Sequence, residues 1–327
     1  MRTRFFRCAG AGLAAGALVL GLAACGGDEV PTADAKGKGG VEVSKLTVGI
    51  VPVIDHAAIF VAKDKGLFTA EGLTVEPRPL QGGAAAVPAM MSGDLQAAFA
   101  TYPSFLLAEA QGIHVKIVAE GVRATDKTGG VYVWKNSPLK DAAELAGKTI
   151  AVNTLNNTGD VTIKAVLKEK GVDPNSVKFI ELPFPDMAGA LERGSVDAAW
   201  VVEPFRTGIA AAGGRQILAS YSGIAEGIPV SGLGMSANFV KDNPNTAAAF
   251  ARAIEKANAL IADDPNLARN EVTKYSKSTP EQAKAMELPK WVKGAPDVKE
   301  LTRVNDLMLQ TGALKKPVDV ASMVLTK

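Results

Sequence analysis

Cysteine and histidine are nearly absent from this 327-residue chain, with two of each. Two cysteines cannot make a disulfide scaffold or, by themselves, a zinc cluster. No His-x-x-x-His pair or cysteine cluster suggests a metal ligand set, so no metal and no cofactor is expected. An excess of either charge is missing too: 36 Lys and Arg face 34 Asp and Glu. A dedicated nucleic-acid binder should carry a basic excess, so no nucleic-acid partner is expected. What the chain does have is 47% apolar residues, too many for a disordered chain, and length for about two domains with cores of their own. A two-domain binding protein and a two-domain enzyme remain.

The first residues bear on the compartment. Arg2, Arg4 and Arg7 precede an uncharged run of Ala, Gly, Leu and Val from Cys8 to Ala24. This is a charged region followed by an apolar one, rich in small residues and short for a membrane span. It ends in Leu22-Ala23-Ala24-Cys25-Gly26, which resembles a bacterial lipobox. The resemblance implies a signal peptide over 1–24, cleavage before Cys25, and a lipid on the Cys25 thiol. The alternatives are an ordinary secretory peptide with a chance cysteine, or an uncleaved anchor. Cleavage would remove three arginines and no acid, leaving 33 basic against 34 acidic residues. Residues 25–45, with Lys36-Gly37-Lys38-Gly39-Gly40, read as a flexible polar tether.

From Leu46 onward short β-branched runs alternate with helical patterns. Strands are expected at 46–51, 73–76, 96–100 and 115–119, with helices between them. A second series places strands at 131–134, 149–152, 178–181, 198–202 and 216–219. Such alternation predicts mostly parallel sheets flanked by helices. The two series match in order. Ser92-Gly93-Asp94-Leu95-Gln96-Ala97-Ala98-Phe99 aligns with Arg193-Gly194-Ser195-Val196-Asp197-Ala198-Ala199-Trp200 at an offset of 101, which also carries Pro103 onto Pro204. Two lobes of similar design follow.

After Gly223 comes a short extended run, Pro229–Met235, and then helices at 245–262, 267–276, 280–288 and 297–311. Phe250, Ile254, Ala257 and Ile261 form one apolar face at helical spacing. Four helices without strands cannot build a third sheet, so they are expected to wrap the first lobe. Lobe one is then 46–124 with 233–327, lobe two is 125–232, and two crossing segments form a hinge beside a ligand cleft.

Specific segments carry a family resemblance. Ala62-Lys63-Asp64-Lys65-Gly66-Leu67-Phe68-Thr69-Ala70-Glu71-Gly72-Leu73, Gln81-Gly82-Gly83, Asn136-Ser137-Pro138-Leu139-Lys140-Asp141, Glu144 through Val152, the two repeat segments and Glu203-Pro204-Phe205 are similar to solute-binding proteins of ABC importers for sulfonates, nitrate, taurine and thiamine-pyrimidine precursors. The likeness runs from about residue 46 to 262. It implies an α/β fold of two Rossmann-like lobes joined by a two-segment hinge, the type II periplasmic-binding-protein architecture, with the C-terminal helices on lobe one. It also implies a monomer that closes on a small solute at the extracytoplasmic face of the membrane and docks on a permease driven by an ATPase.

In this architecture ligands meet loops at strand C-termini and helix N-termini, where free N–H groups can hold anions. The candidates are Asp55, His56, Gln81, Gly82, Gly83, Thr101, Tyr102, Asn156, Asn157, Thr158 and Glu203. Gly82 and Gly83 allow close backbone approach or are ordinary loop glycines. Asn156, Asn157 and Thr158 offer hydrogen bonds to solute, or one of them caps the following helix. Tyr102 either stacks on the solute or packs beside Pro103. Asp55 and Glu203 hold an amine or ring N–H, or serve as a helix cap and a solvated turn. His56 faces the cleft or caps the helix at Ala57, and His114 reads as structural. With no Arg or Lys in these loops, a donor-bearing solute such as an amino-sulfonate or aminopyrimidine is expected ahead of a bare inorganic anion.

Two motifs lead elsewhere. Gly147-Lys148-Thr149 suggests a phosphate loop, but Ala142 stands where its first Gly belongs and the residues precede a strand. No Gly-x-Ser-x-Gly nucleophile elbow is present. The rival is an enzyme: the resemblance reaches fungal thiamine-pyrimidine synthases, which use a His and a pyridoxal phosphate Lys. This chain lacks their cysteine-rich segment, and no Lys is marked for a cofactor.

Overall fold

The computed structural model describes residues 40–80 and 82–326. The expected signal peptide, Cys25, the tether up to residue 39, and Gln81 lie outside the described residues. In chain order the strands are β1 (Lys45–Ile50), β2 (Thr74–Pro79), β3 (Ala97–Thr101), β4 (Val115–Glu120), β5 (Val122–Arg123), β6 (Gly129–Val133), β7 (Thr149–Val152), β8 (Lys178–Glu181), β9 (Ala198–Val202), β10 (Arg215–Ala219), β11 (Ser231–Ser236) and β12 (Lys290–Trp291).

Two five-stranded sheets result, ordered β2-β1-β3-β11-β4 and β8-β7-β9-β6-β10. The order is the same in both, and so is the polarity. Three parallel strands are followed by one antiparallel strand, β11 or β6, and then an edge strand. The internal repeat in the sequence is therefore a repeat of topology. β3 and β9 occupy the centres, and their Ala-Ala-Phe-Ala and Ala-Ala-Trp-Val-Val runs are buried, as strands covered on both faces require. Each is entered through a glycine with positive φ, Gly93 at 81° and Gly194 at 68°, which turns the chain out of the preceding helix.

In each sheet the antiparallel strand is the first one laid down after the chain crosses over. β6 follows the outward crossing and β11 the return. The C-terminal helices then cover the first sheet. In the helix Pro244–Asp263, Phe250, Ile254, Ala257 and Ile261 are all fully buried, and Phe250 stacks on Phe68 with ring centroids 5.5 Å apart.

Three details differ from the sequence reading. The tether was expected to run to residue 45, yet Val41 is already buried. Glu42 accepts hydrogen bonds from the backbone N–H groups of Asn245 and Thr246 at 3.1 and 2.8 Å, a carboxylate at the positive end of a helix. The C-terminal region is not strand-free: β12 pairs with β5 beside the crossing segments, which buries Trp291. Two-residue strands are too short to give a periodic signal. The helix Val298–Gln310 packs against helix Tyr102–Ala110 and also against helix Thr158–Glu169, so the C-terminal helices touch both halves.

Candidate functional site

The C-terminal ends of β1, β3, β7 and β9 point toward one another across the two sheets. Between them lies a chamber of about 50 Å³, room for a few waters or a small solute group. Its walls are aromatic: Phe99 from β3, Trp200 from β9, Phe184 at the start of helix Phe184–Glu192, and Tyr221 from the returning crossover. The Trp200 indole N–H is spent on Ser220 Oγ at 2.9 Å, so a ring surface is what Trp200 offers. Its closeness to the helix Thr158–Glu169 depends on Gly159, where a Cβ would stand 2.8 Å from Trp200 Cε3.

Polar groups interrupt these walls at Asp55, Thr101, Asn153, Thr154, Asn157 and Thr158. Among the described residues no Lys, Arg or His lines the chamber. Asp55 sits in a 3₁₀ turn after β1, is buried, and has an Oδ1 without a hydrogen-bond partner. Burial pushes its carboxyl up to about 7, against its own backbone N–H and the Ser231 hydroxyl, which favour the ionised form. The Tyr221 hydroxyl is also unpartnered. Burial and the nearby Asp55 charge hold that phenol well above its usual range. One unpartnered carboxyl oxygen and an unpartnered phenol therefore share an aromatic enclosure, a favourable setting for a flat solute that brings hydrogen-bond donors.

The helix N-terminus beside the chamber is already neutralised. Asn157 and Asp160 form a reciprocal cap on helix Thr158–Glu169, with Asp160 accepting from the backbone N–H groups of Asn157 and Asn156 at 2.8 and 3.1 Å. Asn157 does more than cap. Its Nδ2 donates to Ser104 Oγ at 2.8 Å and its Oδ1 accepts from the Thr101 hydroxyl, so it bridges the two halves across the chamber.

Asp55, Gly83, Thr101, Asn157 and Thr158 are thus brought together. Gly82 lines an adjoining groove beside Asn153 and Thr154. Four candidates stand off the chamber. His56 is buried behind it, its ring tilted at 42° against Phe99 with centroids 3.5 Å apart and accepting at Nδ1 from the Val51 N–H; burial keeps its ring neutral. It neither faces the chamber nor caps the helix through its side chain. Tyr102 is core, its hydroxyl packed over Gly232, where a Cβ would fall 2.8 Å away. Asn156 takes φ 53° in the turn before the cap. Glu203 is neither solute-facing nor a solvated turn. Buried with its pKa raised by that burial, it accepts from the backbone N–H groups of Thr207 at 3.0 Å and Glu287 at 3.1 Å, while its carbonyl accepts from Ile54 N. It ties the segment after β9 to the first half. His114 is exposed and pairs with Glu109 at 2.9 Å.

Sequence reasoning missed Phe99, Trp200, Phe184 and Tyr221. The repeat held the signal for several of them. Gly83 and Phe184, Phe99 and Trp200, and Thr101 and Val202 are each 101 residues apart, and all six line the chamber. Among the described residues, no group of three or more His, Cys, Asp or Glu side chains is placed to hold a metal ion.

The profile of the NMT1-like family matches residues 39–275, more than half of the chain. The chain belongs to the NMT1-like family. As a member of it, the chain is 25% identical to the nitrate/nitrite binding protein NrtA of Synechococcus elongatus over 81% of its own length and 68% of that protein. It is 28% identical to the taurine-binding periplasmic protein of Escherichia coli over 44% of each chain. Among solved structures it superposes on the alkanesulfonate-binding protein SsuA from Xanthomonas axonopodis pv. citri, bound to MOPS, with a TM-score of 0.72 and 19% identity, covering 86% of this chain and 98% of that one. This NMT1-like chain has the two-lobed α/β fold of periplasmic binding proteins. These relatives are binding proteins.

Proposed function

We propose that this chain is the extracytoplasmic solute-binding component of an ABC importer. Lobe one (46–124 with 233–327) and lobe two (125–232) close on a small polar solute and deliver it to a permease and its ATPase. The protein acts as a monomer held to the membrane through a lipid on Cys25. The names of the relatives support solute capture over catalysis. The absence of a Lys in the chamber speaks against the pyridoxal-dependent alternative. No described helix is long and apolar enough to cross a membrane.

The solute in this reading is flat, small and rich in N–H donors, as an aminopyrimidine is, with an amino-sulfonate second and a bare anion last. One observation carries the preference: Asp55 Oδ1, without a hydrogen-bond partner, stands in an aromatic chamber that no cationic residue lines. A nitrate or sulfonate there would meet Asp55 and a helix end already capped by Asp160. A thermal-shift panel of aminopyrimidines, primary amines, taurine, alkanesulfonates and nitrate tests this. Stabilisation by aminopyrimidines is expected. Stabilisation by nitrate or sulfonates alone would overturn the preference.

A further inference from the structure

The crossing between the two halves has a third strand. The outgoing and returning segments pair through three backbone hydrogen bonds of 2.9 Å: Gly121 N–H to Ser231 O, Val230 N–H to Val122 O, and Ala124 N–H to Ile228 O. On the other side of the outgoing segment β12 pairs with β5, Lys290 opposite Arg123 and Trp291 opposite Val122. The outgoing segment is thus the middle strand of a ribbon whose outer strand comes from the C-terminal region. Held on both sides, it is fixed to the first half as far as Ala124. Bending is left to residues 125–128 on the way out and 222–227 on the way back. In the return segment Gly223 and Gly227 stand at φ 57° and 65°.

The helix Val298–Gln310 reaches into that return bend. The Arg303 guanidinium donates to Glu226 O at 2.8 Å, between the two glycines, and pairs with Glu300 Oε2 at 2.7 Å. Glu300 lies 3.9 Å from Arg123, which the buried Glu120 holds at 2.8 Å. Four charged side chains therefore run from the braced outgoing segment, over the C-terminal helix, to the free part of the return. The same helix packs against Thr158–Glu169, whose first residues line the chamber.

We infer that Arg303 is a positioning residue for lobe closure. It clasps the return bend in the arrangement where Asn157 and Glu203 bridge the halves, and so raises solute affinity without touching solute. The inference rests on the proposed closure of the two lobes. A half-exposed ion pair contributes little by itself. Its leverage comes from its place, because a small term shifts the populations of two nearly balanced arrangements.

Two amides report on opening. Ile54 N–H and Glu287 N–H, both on the first half, donate across to Glu203 at 3.2 and 3.1 Å. The test is their hydrogen exchange, read residue by residue by NMR on the full chain without solute, for wild type, Arg303→Lys and Arg303→Met. Arg303→Met keeps an apolar stem and removes the donors. It is expected to speed exchange at both reporters about threefold, while the buried amides of β3 and β9 keep wild-type rates. Arg303→Lys, which keeps a charged donor, is expected to fall between the two. Calorimetry with 4-aminopyrimidine should show Arg303→Met binding weaker by a similar factor, and an unchanged affinity would overturn the inference. Faster exchange confined to residues 222–230 makes Arg303 a local tie and overturns it. Faster exchange throughout β3 and β9 marks a general loss of stability and also overturns it, as do unchanged reporter rates. Reporters no faster than β3 in wild type would overturn lobe closure itself, and the clasp with it. If 4-aminopyrimidine fails to bind, the proposed solute chemistry falls and the exchange rates alone uphold or overturn the clasp.

Discussion

Asp55→Asn separates a ligand-binding carboxyl from a structural one. The wild-type group ionises near 3.8 in an unfolded chain and at about 7 in the folded one. Between those values the folded state holds a proton that the unfolded state has released, so stability falls as pH rises through this window. Above pH 7 both states are ionised, and the full cost is roughly 4 kcal/mol at ~1.36 kcal/mol per unit of separation. The amide variant carries no charge and escapes this cost. Its melting temperature without solute should exceed that of wild type at pH 8 by several degrees and converge with it near pH 4. Binding should respond in the opposite sense. A hydrogen bond to a charged group contributes about 1.5–3 kcal/mol, so the variant should bind the solute about 10- to 100-fold more weakly. For a solute of fixed charge, wild-type affinity should rise by up to about tenfold per pH unit below pH 7 and then level off, while the variant shows no such slope. Scanning fluorimetry and calorimetry from pH 5.5 to 8.5 measure both effects. A variant less stable than wild type at pH 8, with affinity and slope unchanged, would make Asp55 structural and refute the reasoning.

Three further outcomes follow from the same geometry. Gly159→Ala drives a methyl into the Trp200 ring and should cost about 1–3 kcal/mol in denaturant unfolding while weakening solute binding through the displaced indole. Asn157→Ala removes both a helix cap and the bridge to Ser104; it should lower stability by about 1 kcal/mol and weaken binding, read by calorimetry. Glu203→Ala strips the acceptor from the Thr207 and Glu287 N–H groups, costing about 1–3 kcal/mol per orphaned group, and should enlarge the radius of gyration in scattering.

Local rules made the fold readable. Parallel strands buried on both faces announce themselves as apolar runs, and the glycines at 93 and 194 mark the turns into β3 and β9. The repeat even paired the residues that face the chamber, because equivalent positions in two like sheets point at the same cleft. What stayed hidden depends on facing and on contacts made far along the chain. Asp55 and His56 are neighbours in one tight turn, yet one side chain enters the chamber and the other lies behind Phe99. Tyr221 arrives from the returning crossover, and no local pattern brings it beside Asp55. Glu203 read as a solute contact or a solvated turn because its partner, the Glu287 N–H, is 84 residues away. Nor could the sequence show that Asn157 would reach across to Ser104 while it capped its own helix.

The central claim is capture without chemistry. Equilibrium dialysis of the purified chain against a mixture of aminopyrimidines, amines and sulfonates, followed by denaturing release and mass spectrometry, tests it most directly. One N–H-bearing solute per chain, recovered at its original mass and lost from a Trp200→Ala chain that remains folded, is the predicted result. A solute recovered at an altered mass, or no solute retained above background, would contradict the account.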